Sequence, residues 1–273
     1  MPGMDVEESI EISKIYSVSG LLTEKEPLVK IRPFRAPHHT VSVQALTGGG
    51  RRPKPGEISL ATGGILFLDE LPEFSRAALE TLRQPLEDRE VTVSRVEATV
   101  TYPANFQLVA AMNPCPCGHF PDLARCRCTE GQITRYLQKI SGPLLDRIDL
   151  CVEASPVTYG DVRGGGENEA SGAIRARVEQ AREIQKERFM EENIRCNGEM
   201  SGRHIRKYCV LGKEEETFME EVFEKLALSA RMHDRILKVA RTTADLAGES
   251  KIRLSDLCEA VSYVKSREKF WGN

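Results

Sequence analysis

Two adjacent carboxylates, Asp69 and Glu70, end the short segment GILFLDE, whose apolar residues follow Gly63-Gly64. An apolar run of this length, bounded by glycines and acids, is typical of a buried strand in a parallel sheet. A carboxylate pair at the end of such a strand could hold the water shell of Mg²⁺ on a nucleotide and polarise an attacking water molecule. Two acids that end a strand are also common as solvated side chains, so the pair alone leaves both interpretations open.

A second set of reactive residues lies further along the chain, where four cysteines follow the spacing C-x-C-x8-C-x-C. Four thiolates this close in sequence can close a tetrahedral Zn²⁺ site, and His119 could replace one of them. C-x-C is a weaker zinc signal than C-x-x-C, so free thiols or disulfides are the alternative. The predicted ligands are Cys115, Cys117, Cys126 and Cys128.

The elements around the carboxylate pair follow in a regular order. A helix capped by Ser75 and kinked or ended by Pro85 is predicted after the strand. The alternating segments REVTVSR and VEATVTY predict a β-hairpin, and residues 106–112 predict a second buried strand that ends at Asn113. Residues 132–140 predict a further helix, and residues 144–153 another short strand.

Composition changes after this region, at residues 155–172, which are rich in glycine and acids. Such a segment is typical of a flexible linker. From residue 173 the apolar residues recur at helical spacing in several segments, which predicts a small helical bundle. We therefore expect a core domain at 1–155 with a cysteine-rich insertion at 113–130, a linker at 156–172, and a helical domain at 173–273.

The net charge of −3 argues against a generally basic nucleic-acid binder, but the charges are unevenly distributed. Residues 27–56 contain no acid, and they could form a positive surface that attracts a phosphate backbone. A solvated basic loop is the alternative. The chain has neither a run of about 20 apolar residues nor a basic and apolar N-terminal leader, which predicts a cytoplasmic protein without a membrane partner.

Taken together, this order of elements resembles the AAA+ ATPases that carry a hairpin before sensor 1, and specifically the ComM-type branch of the magnesium-chelatase-like family. The resemblance extends from about residue 12 to residue 270. The stretches that carry it are RPFRAPHHTVS, GEISLATGGILFLDELPEF, LRQPLEDREVTVSR, AAMNPCPCG and SGPLLDRIDL. It implies an α/β fold: an AAA+ P-loop NTPase core, made of a parallel sheet with helices and a pre-sensor-1 hairpin, followed by a small all-helical lid domain.

The resemblance also implies roles for single residues, with ATP and Mg²⁺ as cofactors. Asp69 and Glu70 match the Walker B pair, and Asn113 matches sensor 1, which orients the lytic water. Arg147 in LLDRID matches the arginine finger that acts on nucleotide in a neighbouring subunit, and Arg231 matches the sensor 2 arginine at the start of a lid helix. Without the family, surface ion pairs for the arginines and a strand-end cap for Asn113 would be the simpler interpretations.

One part of the machinery is missing from the sequence, because no G-x-x-x-x-G-K-[ST] motif occurs. The Walker A loop supplies most of the grip on the β- and γ-phosphates. In the family that loop lies upstream of the segment EISKIYSVSGLL. We therefore expect a fragment that starts after Walker A and is inactive by itself, with a natural degenerate ATPase as the alternative.

Three functions compete. The first is a homo-oligomeric ring, expected to be a hexamer, that translocates on DNA and drives branch migration as a helicase. The second is a chelatase-type motor that remodels a partner protein for metal insertion into a porphyrin, and the third is a folded scaffold without activity. The cysteine insertion favours the first, with DNA expected to contact the acid-free segment and the hairpin tip through Lys30, Arg32, Arg35, His38, His39, Arg51, Arg52 and Arg95.

Overall fold

The computed structural model describes residues 1–94, 98–154, 159, 163 and 169–271, and these form two compact units. The first unit is Met4–Ile148. The second consists of the described residues from Asp149 onward together with Met1–Gly3. Most of the linker predicted at 156–172 lies outside the described residues, so that part of the domain prediction stays a prediction.

The first unit alternates short helices and strands. Its helices are α1 (Val6–Val18), α2 (Val43–Thr47), α3 (Glu57–Leu60), α4 (Arg76–Glu80), α5 (Arg83–Asp88), α6 (Glu130–Leu137) and α7 (Gly142–Leu145), with a 3-10 helix at Leu71–Glu73. Its strands are β1 (Phe34–Arg35), β2 (Gly48–Gly49), β3 (Lys54–Pro55), β4 (Ile65–Leu68), β5 (Glu90–Ser94), β6 (Thr99–Pro103) and β7 (Gln107–Ala110).

A three-stranded parallel sheet organises this unit, in the order β1-β4-β7. Strand β4 pairs with Phe34 and Arg35 on one side, and its residues Ile65–Leu68 pair with Gln107–Ala110 on the other. Alternate residues of a strand face opposite sides of the sheet, so Leu66 and Leu68 lie on the same face. Both are fully buried. The parallel α/β architecture expected from the sequence is confirmed.

The second glycine before β4, Gly64, is needed because there is no space for a side chain at this position. A Cβ atom on Gly64 would lie 1.9 Å from the carbonyl oxygen of Pro33 in the neighbouring strand segment. The amide of Ile65 donates to that same oxygen at 2.8 Å. A residue with any side chain at position 64 would therefore push the two parallel strands apart at the entrance to β4.

The helix predicted after β4 forms, and the amide of Ala78 donates to the Ser75 hydroxyl that caps it. The helix breaks at Thr81-Leu82, before Pro85, and resumes as α5. Pro85 is the third residue of α5. A proline is tolerated there, because the amides of the first helical turn have no intrahelical partner.

The predicted hairpin is confirmed as the antiparallel pair β5 and β6, with Val91 opposite Tyr102. Its tip at residues 95–97, which includes the predicted DNA contact Arg95, lies outside the described residues. Strand β7 follows, but Gln107 and Ala110 are exposed and its middle residues are half-buried. The expectation of a buried strand was wrong in this respect, because among the described residues β7 has a neighbour on one side only.

The strand predicted within residues 144–153 does not form. Leu144 and Leu145 instead close α7, and residues 146–154 are turn and irregular backbone. Gly142-Pro143 begins this short helix, and proline at the start of a helix is well tolerated because its φ is already helical. The two leucines are buried at the helix end, so their apolar character reflects packing of a helical turn.

The second unit is helical, as predicted. Its helices are α8 (Ser171–Arg188), α9 (Gly202–Tyr208), α10 (Lys213–Lys225), α11 (Ala230–Leu246) and α12 (Leu254–Trp271), with a 3-10 helix at Asn197–Glu199. The hydroxyl of Ser229 caps α11 by accepting from the amide of Met232. One apolar cluster joins α9, α10, α11 and α12, and Ile236 and Leu257 lie in its fully buried part.

A buried polar network lies beside this apolar cluster. Asp245 is almost fully buried and accepts from Arg188 at 2.7 Å, from Asn197 at 2.7 Å and from Arg241 at 3.1 Å. Gln185 donates to the same carboxylate at 3.3 Å. Because these donors come from α8, from the 3-10 helix and from α11 itself, Asp245 joins these three elements in one arrangement.

None of the described helices combines the length and the apolar character that crossing a bilayer requires.

Candidate nucleotide and metal sites

The carboxylate pair lies at the carboxyl end of β4, beside the end of β7. The amide of Ala111 donates to the Leu68 carbonyl at 3.0 Å, and the amide of Leu71 donates to the Ala111 carbonyl at 3.0 Å. These two hydrogen bonds continue the sheet pairing past both strand ends. Asp69 and Glu70 therefore lie next to the segment that leads from Ala111 to Asn113.

Asp69 is exposed, and its Oδ1 accepts from the amide of Glu70 at 2.9 Å. Glu70 itself has left-handed backbone angles, with φ 53° and ψ 47°. A residue with a side chain enters this region at an energetic cost, and such conformations occur often at functional sites. The left-handed turn sends the chain directly into the 3-10 helix at Leu71–Glu73 and leaves both carboxylates at the surface.

His39 contacts Glu70, with Nδ1 3.1 Å from Oε2. The imidazole also stacks on His38, with ring centroids 4.0 Å apart, and meets the edge of Phe74. Sequence reasoning assigned both histidines to DNA contacts and missed this one. The position of His39 just after β1 was the available signal, because parallel strands end at the same edge of a sheet.

Asn113 is exposed three residues after β7, so its amide is available at the same edge as the carboxylates. Its side chain lies against the backbone of Gly118, where an added Cβ would be 3.8 Å from the Asn113 amide carbon. Gly118 has a φ of 78°, which other residues rarely adopt. The turn that begins the cysteine segment thus folds back against Asn113.

Arg147 belongs to the same unit but makes a different set of contacts. Its guanidinium donates to the Pro143 carbonyl at 2.6 Å and forms an ion pair with Glu87 in α5. The Nε atom is buried and has no hydrogen-bond partner among the described residues. Asp149, two residues after Arg147, pairs with Arg235 at 2.7 Å.

Arg231 lies in the second unit, where it is the second residue of α11 and is exposed. This matches the predicted position at the start of a lid helix. Arg235, one turn later, is the better-buried arginine of the two, with a side chain that is 11% exposed.

The acid-free segment is engaged with acids from outside it. Arg32 forms an ion pair with Glu8 at 2.7 Å and donates to the Gly63 carbonyl at 2.7 Å. Arg35 holds Glu57 through two hydrogen bonds of 2.6 and 2.7 Å. These two arginines therefore contribute to the fold of the first unit. The remaining predicted contacts in this segment are Lys30, Arg51 and Arg52, which are exposed, and His38, which is exposed beside His39.

The four predicted zinc ligands come together. Their sulfur atoms all lie within 4.8 Å of one another, and the separations from Cys115 to Cys117, Cys115 to Cys126 and Cys117 to Cys126 are 3.4, 3.8 and 3.6 Å. Zn–S bonds of about 2.3 Å at tetrahedral angles place sulfurs roughly 3.8 Å apart. A disulfide needs sulfurs about 2.05 Å apart, so all four are free thiols that fit a metal.

The surroundings of the cluster favour a thiolate at Cys117 and the neutral thiol at Cys128. The backbone amides of His119 and Arg127 point at Cys117 and lower the pKa of its thiol to about 6. Burial and the hydrogen bond that its thiol donates to Cys117 raise the pKa of Cys128 to about 12. Among the described residues, His119 is not part of this group of ligand atoms, so the site consists of cysteines alone.

The cysteine cluster also adjoins the loop that follows the carboxylate pair. Tyr136 in α6 is buried, and burial raises its pKa to about 12, with further contributions from the negative charges of Glu73, Cys115 and Glu70. Tyr136 therefore lies within the electrostatic reach of both the cluster and the end of β4.

Comparison with known proteins agrees with this geometry. The sequence profile described as magnesium chelatase, subunit ChlI, matches residues 1–162, and its C-terminal counterpart matches residues 168–264. The chain is 49% identical over 235 residues to the competence protein ComM of Haemophilus influenzae, which covers 86% of this chain and 45% of that protein. It is 45% identical over 264 residues to the uncharacterized protein YifB of Salmonella typhimurium, covering 96% of this chain and 51% of that protein.

The corresponding YifB of Escherichia coli is 44% identical over 264 residues, with 96% of this chain and 51% of that protein covered. The chain thus spans about half the length of the curated relatives it matches. The two profile matches leave only short segments of the chain uncovered, and the parallel sheet, hairpin and helical unit agree with the fold that the family implies. The chain therefore belongs to the magnesium-chelatase-like family of AAA+ proteins, with ComM-type relatives.

Proposed function

We propose that this chain is the larger part of the ATPase module of a ring-forming AAA+ motor that acts on DNA. The observation that carries the proposal is the register of β4 against β7, which brings Asp69, Glu70 and Asn113 to one edge of the sheet. Similarity to a competence protein supports DNA as the partner. ATP hydrolysis, the ring and its expected six subunits, and the translocation of DNA are parts of this proposal.

Asp69 would hold Mg²⁺ and its water shell, Glu70 would polarise the attacking water, and Asn113 would orient that water. An exposed carboxylate with one oxygen already fixed by a backbone amide fits the water-mediated Mg²⁺ contact of this site. The metal-bound nucleotide supplies the electrophilic phosphorus. Glu70 would have to leave His39 before it can accept a proton, since a carboxylate that is paired with a histidine is a weaker base.

Arg147 and Arg231 are the proposed arginine finger and sensor 2 residue. An arginine finger stabilises transition-state charge on nucleotide that is held by a neighbouring subunit. The ion pair with Glu87 would keep the guanidinium of Arg147 at the surface of its own subunit until such a neighbour is present. Homo-oligomeric assembly is therefore required for activity in this scheme.

The proposed zinc site is structural. The four thiolates would bind one Zn²⁺ and fix the segment of 113–130 that follows Asn113, since a closed Cys₄ site leaves no open position for a substrate. The metal would supply charge neutralisation and a rigid cross-link.

This chain by itself should bind ATP poorly, because no G-x-x-x-x-G-K-[ST] motif is present in its sequence. Without that loop, Asp69, Glu70 and Asn113 would act on a nucleotide whose phosphates are not held in place by this chain. Hydrolysis is therefore assigned to a full-length protein that also carries such a loop.

DNA-dependent ATP hydrolysis tests the proposal. The full-length protein should hydrolyse ATP faster with DNA than without it, and Glu70→Gln should abolish hydrolysis while ATP binding remains. A rate of ATP hydrolysis that is unchanged by DNA but increased by a partner protein involved in inserting metal into a porphyrin would favour the chelatase-type motor. If the full-length protein neither binds nor hydrolyses ATP, both motor hypotheses fail and the hypothesis of a folded scaffold without activity remains.

A further inference from the structure

A cavity of about 850 Å³ opens in the helical unit between α9, α10 and α11. Its floor is apolar, because Ile205, Met219 and Leu237 line it and each of them is at most 5% exposed. Val210 and Phe223 also line it, and they are 68% and 40% exposed. Apolar side chains that remain in contact with water around an apolar floor indicate a surface that a partner can cover.

Carboxylates border this apolar surface. The lining contains four carboxylates and one guanidinium, so with its histidine neutral it carries three net negative charges. The carboxylates are those of Glu216, Glu220, Glu224 and Asp234, and the guanidinium is that of Arg206. Throughout the described part of the chain, neither the three glutamates nor Arg206 take part in an ion pair within 4.0 Å. The negative charge of the glutamates is therefore not neutralised by ion pairs among the described residues.

The three glutamates lie on one side of α10, because they recur every four residues. Glu216 lies close to the first turn, where an anion stabilises a helix. Glu224 is the penultimate residue of α10, where an anion destabilises the helix, and like charges four residues apart repel one another. A row of this kind weakens its own helix, and a cationic partner from outside the unit would offset that effect.

The first half of α8 has the complementary character. Residues 171–177 are all exposed, whereas Ala181 and Gln185 further along the helix are buried. Ile174 is 43% exposed, and it lies on the same side of α8 as those two residues, since seven and eleven residues make about two and three helical turns. The face that α8 buries in its second half therefore continues as an exposed face into its first half.

Cations flank this exposed face. Residues 171–182 contain three arginines and one glutamate. Arg177 is paired with Glu169 at 2.9 Å. Arg175 and Arg182 lie together on one flank of the face, since seven residues make about two turns, and neither forms an ion pair with any residue that the structure describes. Two guanidinium groups thus border an exposed apolar residue on this helix.

We propose that the cavity receives the first half of α8 from a second copy of this chain. At 1.5 Å per residue, the outer two glutamates of the row are about 12 Å apart along α10, and the two arginines are about 10 Å apart along α8. The two rows are thus similar in length and opposite in charge. Ile174, which lies beside the arginines, would then cover the apolar side chains of the cavity.

Such a contact is heterologous, because it joins two different surfaces of the same unit. A pair of copies leaves one cavity and one α8 unused, so further copies can join in the same way, and a ring forms where the rotation closes. The inference rests on the proposed ring motor and identifies a contact between its subunits. Its test needs neither ATP nor DNA, so this contact can fail while the motor stands.

Sedimentation equilibrium of this chain tests the contact, at roughly 10 to 300 µM protein and about 50 mM salt, because a small interface is weak and salt screens exposed charges. The wild-type chain should self-associate. Arg175→Glu/Arg182→Glu should lower the association constant at least about tenfold, and Glu220→Lys/Glu224→Lys should do the same, because each places like charges across the contact. An equimolar mixture of the two variants should associate to within about threefold of wild type, since each then finds opposite charges on the other.

Lys251→Glu/Lys265→Glu is the matched control. It makes the same change in net charge as the α8 variant at two exposed lysines of the unit, and it should associate like wild type. Ile174→Ser keeps every charge and should weaken association, because it removes the apolar side chain that would cover the cavity. Circular dichroism of each variant establishes that the helical unit remains folded.

Three results would overturn the inference. A wild-type chain that stays monomeric would leave the cavity to a basic helix of another protein. Wild-type association of either charge-reversed variant, or no recovery in their mixture, would show that the copies join elsewhere. Equal weakening in the lysine control would assign the effect to net charge. ATP hydrolysis by the full-length protein with and without DNA tests the motor separately, so a failure of this contact and a failure of the motor are distinguishable.

Discussion

The Nδ1 atom of His39 lies 3.1 Å from Oε2 of Glu70, the carboxylate proposed to activate water. His39 follows β1 and Glu70 follows β4, so this contact joins the ends of two neighbouring parallel strands. Glu70 adopts left-handed backbone angles in this arrangement. The structure therefore presents a Glu70 that is paired within its own subunit.

The first prediction concerns release of Glu70. In the full-length protein, His39→Ala should raise ATP hydrolysis measured without DNA by up to about tenfold, because a charge-assisted hydrogen bond of about 1.5 kcal/mol no longer holds the carboxylate. His39→Gln, which can still donate a hydrogen bond, should lie between wild type and His39→Ala. His38→Ala serves as the control, since His38 contacts Thr40 and the ring of His39 but not Glu70. A lower DNA-free rate in His39→Ala would mean that His39 positions Glu70 for the reaction.

Thermal unfolding of this chain with ATP is the second prediction. Millimolar ATP and Mg²⁺ should leave the melting temperature nearly unchanged, because a ligand stabilises a protein only when its concentration exceeds the dissociation constant. An increase of several degrees would contradict this result. It would mean that residues other than a Walker A loop grip the phosphates in this chain.

Metal analysis provides the third prediction. Protein purified without chelator should contain about one zinc per chain, and Cys126→Ser should lose it. Cys258→Ser, which changes an exposed cysteine in the second unit, should keep the metal. Zinc-free wild-type protein whose four clustered thiols react readily with an alkylating reagent would refute the site.

The fourth prediction uses mixed rings of the full-length protein. Arg147→Ala and Glu70→Gln should each be inactive alone, since an arginine finger contributes roughly 10³-fold or more to the rate. Mixing them should restore part of the activity, because an intact Arg147 from one subunit can then face an intact Glu70 in the next. Glu87→Gln should remain active, since the ion pair with Arg147 is not part of the reaction. If rings shown to contain both variants recover no activity, Arg147 is not an arginine finger, and its role is the ion pair with Glu87.

The fifth prediction concerns the stability of the helical unit. Asp245→Ala should destabilise it by about 3 to 5 kcal/mol, because the change leaves Arg188 and Arg241 without their buried counter-charge. Glu249→Ala removes a carboxylate that pairs at the surface with Arg253 and should cost less than about 1 kcal/mol. Urea unfolding followed by circular dichroism compares the two. Equal costs would show that the Asp245 network contributes no more than a surface pair.

Local patterns in the sequence were enough to predict much of the first unit. The apolar run before Asp69 and the alternation on both sides of the hairpin have the periods of strands, and Ser75 has the chemistry of a helix cap. The four cysteines were predicted as one group from spacing alone, and the structure brings them together.

Contacts between distant segments were beyond these patterns. Nothing local distinguishes Arg32 and Arg35, which pair with Glu8 and Glu57, from the other cations of the acid-free segment. The strand expected near Arg147 failed because two leucines in a row suit a buried helical turn as well as a strand. The partner of His39 depends on which strand lies beside β4, and that is a property of the whole sheet.

The short spacing between Asn113 and Cys115 ties the two proposed sites together mechanically. With one residue between them, their Cα atoms can be separated by at most about 7 Å. A cobalt ion in place of zinc would thus be a spectroscopic reporter anchored next to the amide that we propose to face the nucleotide. Its absorption bands would respond to displacement of that amide, so one optical signal could follow a subunit of the proposed ring through the proposed hydrolytic cycle.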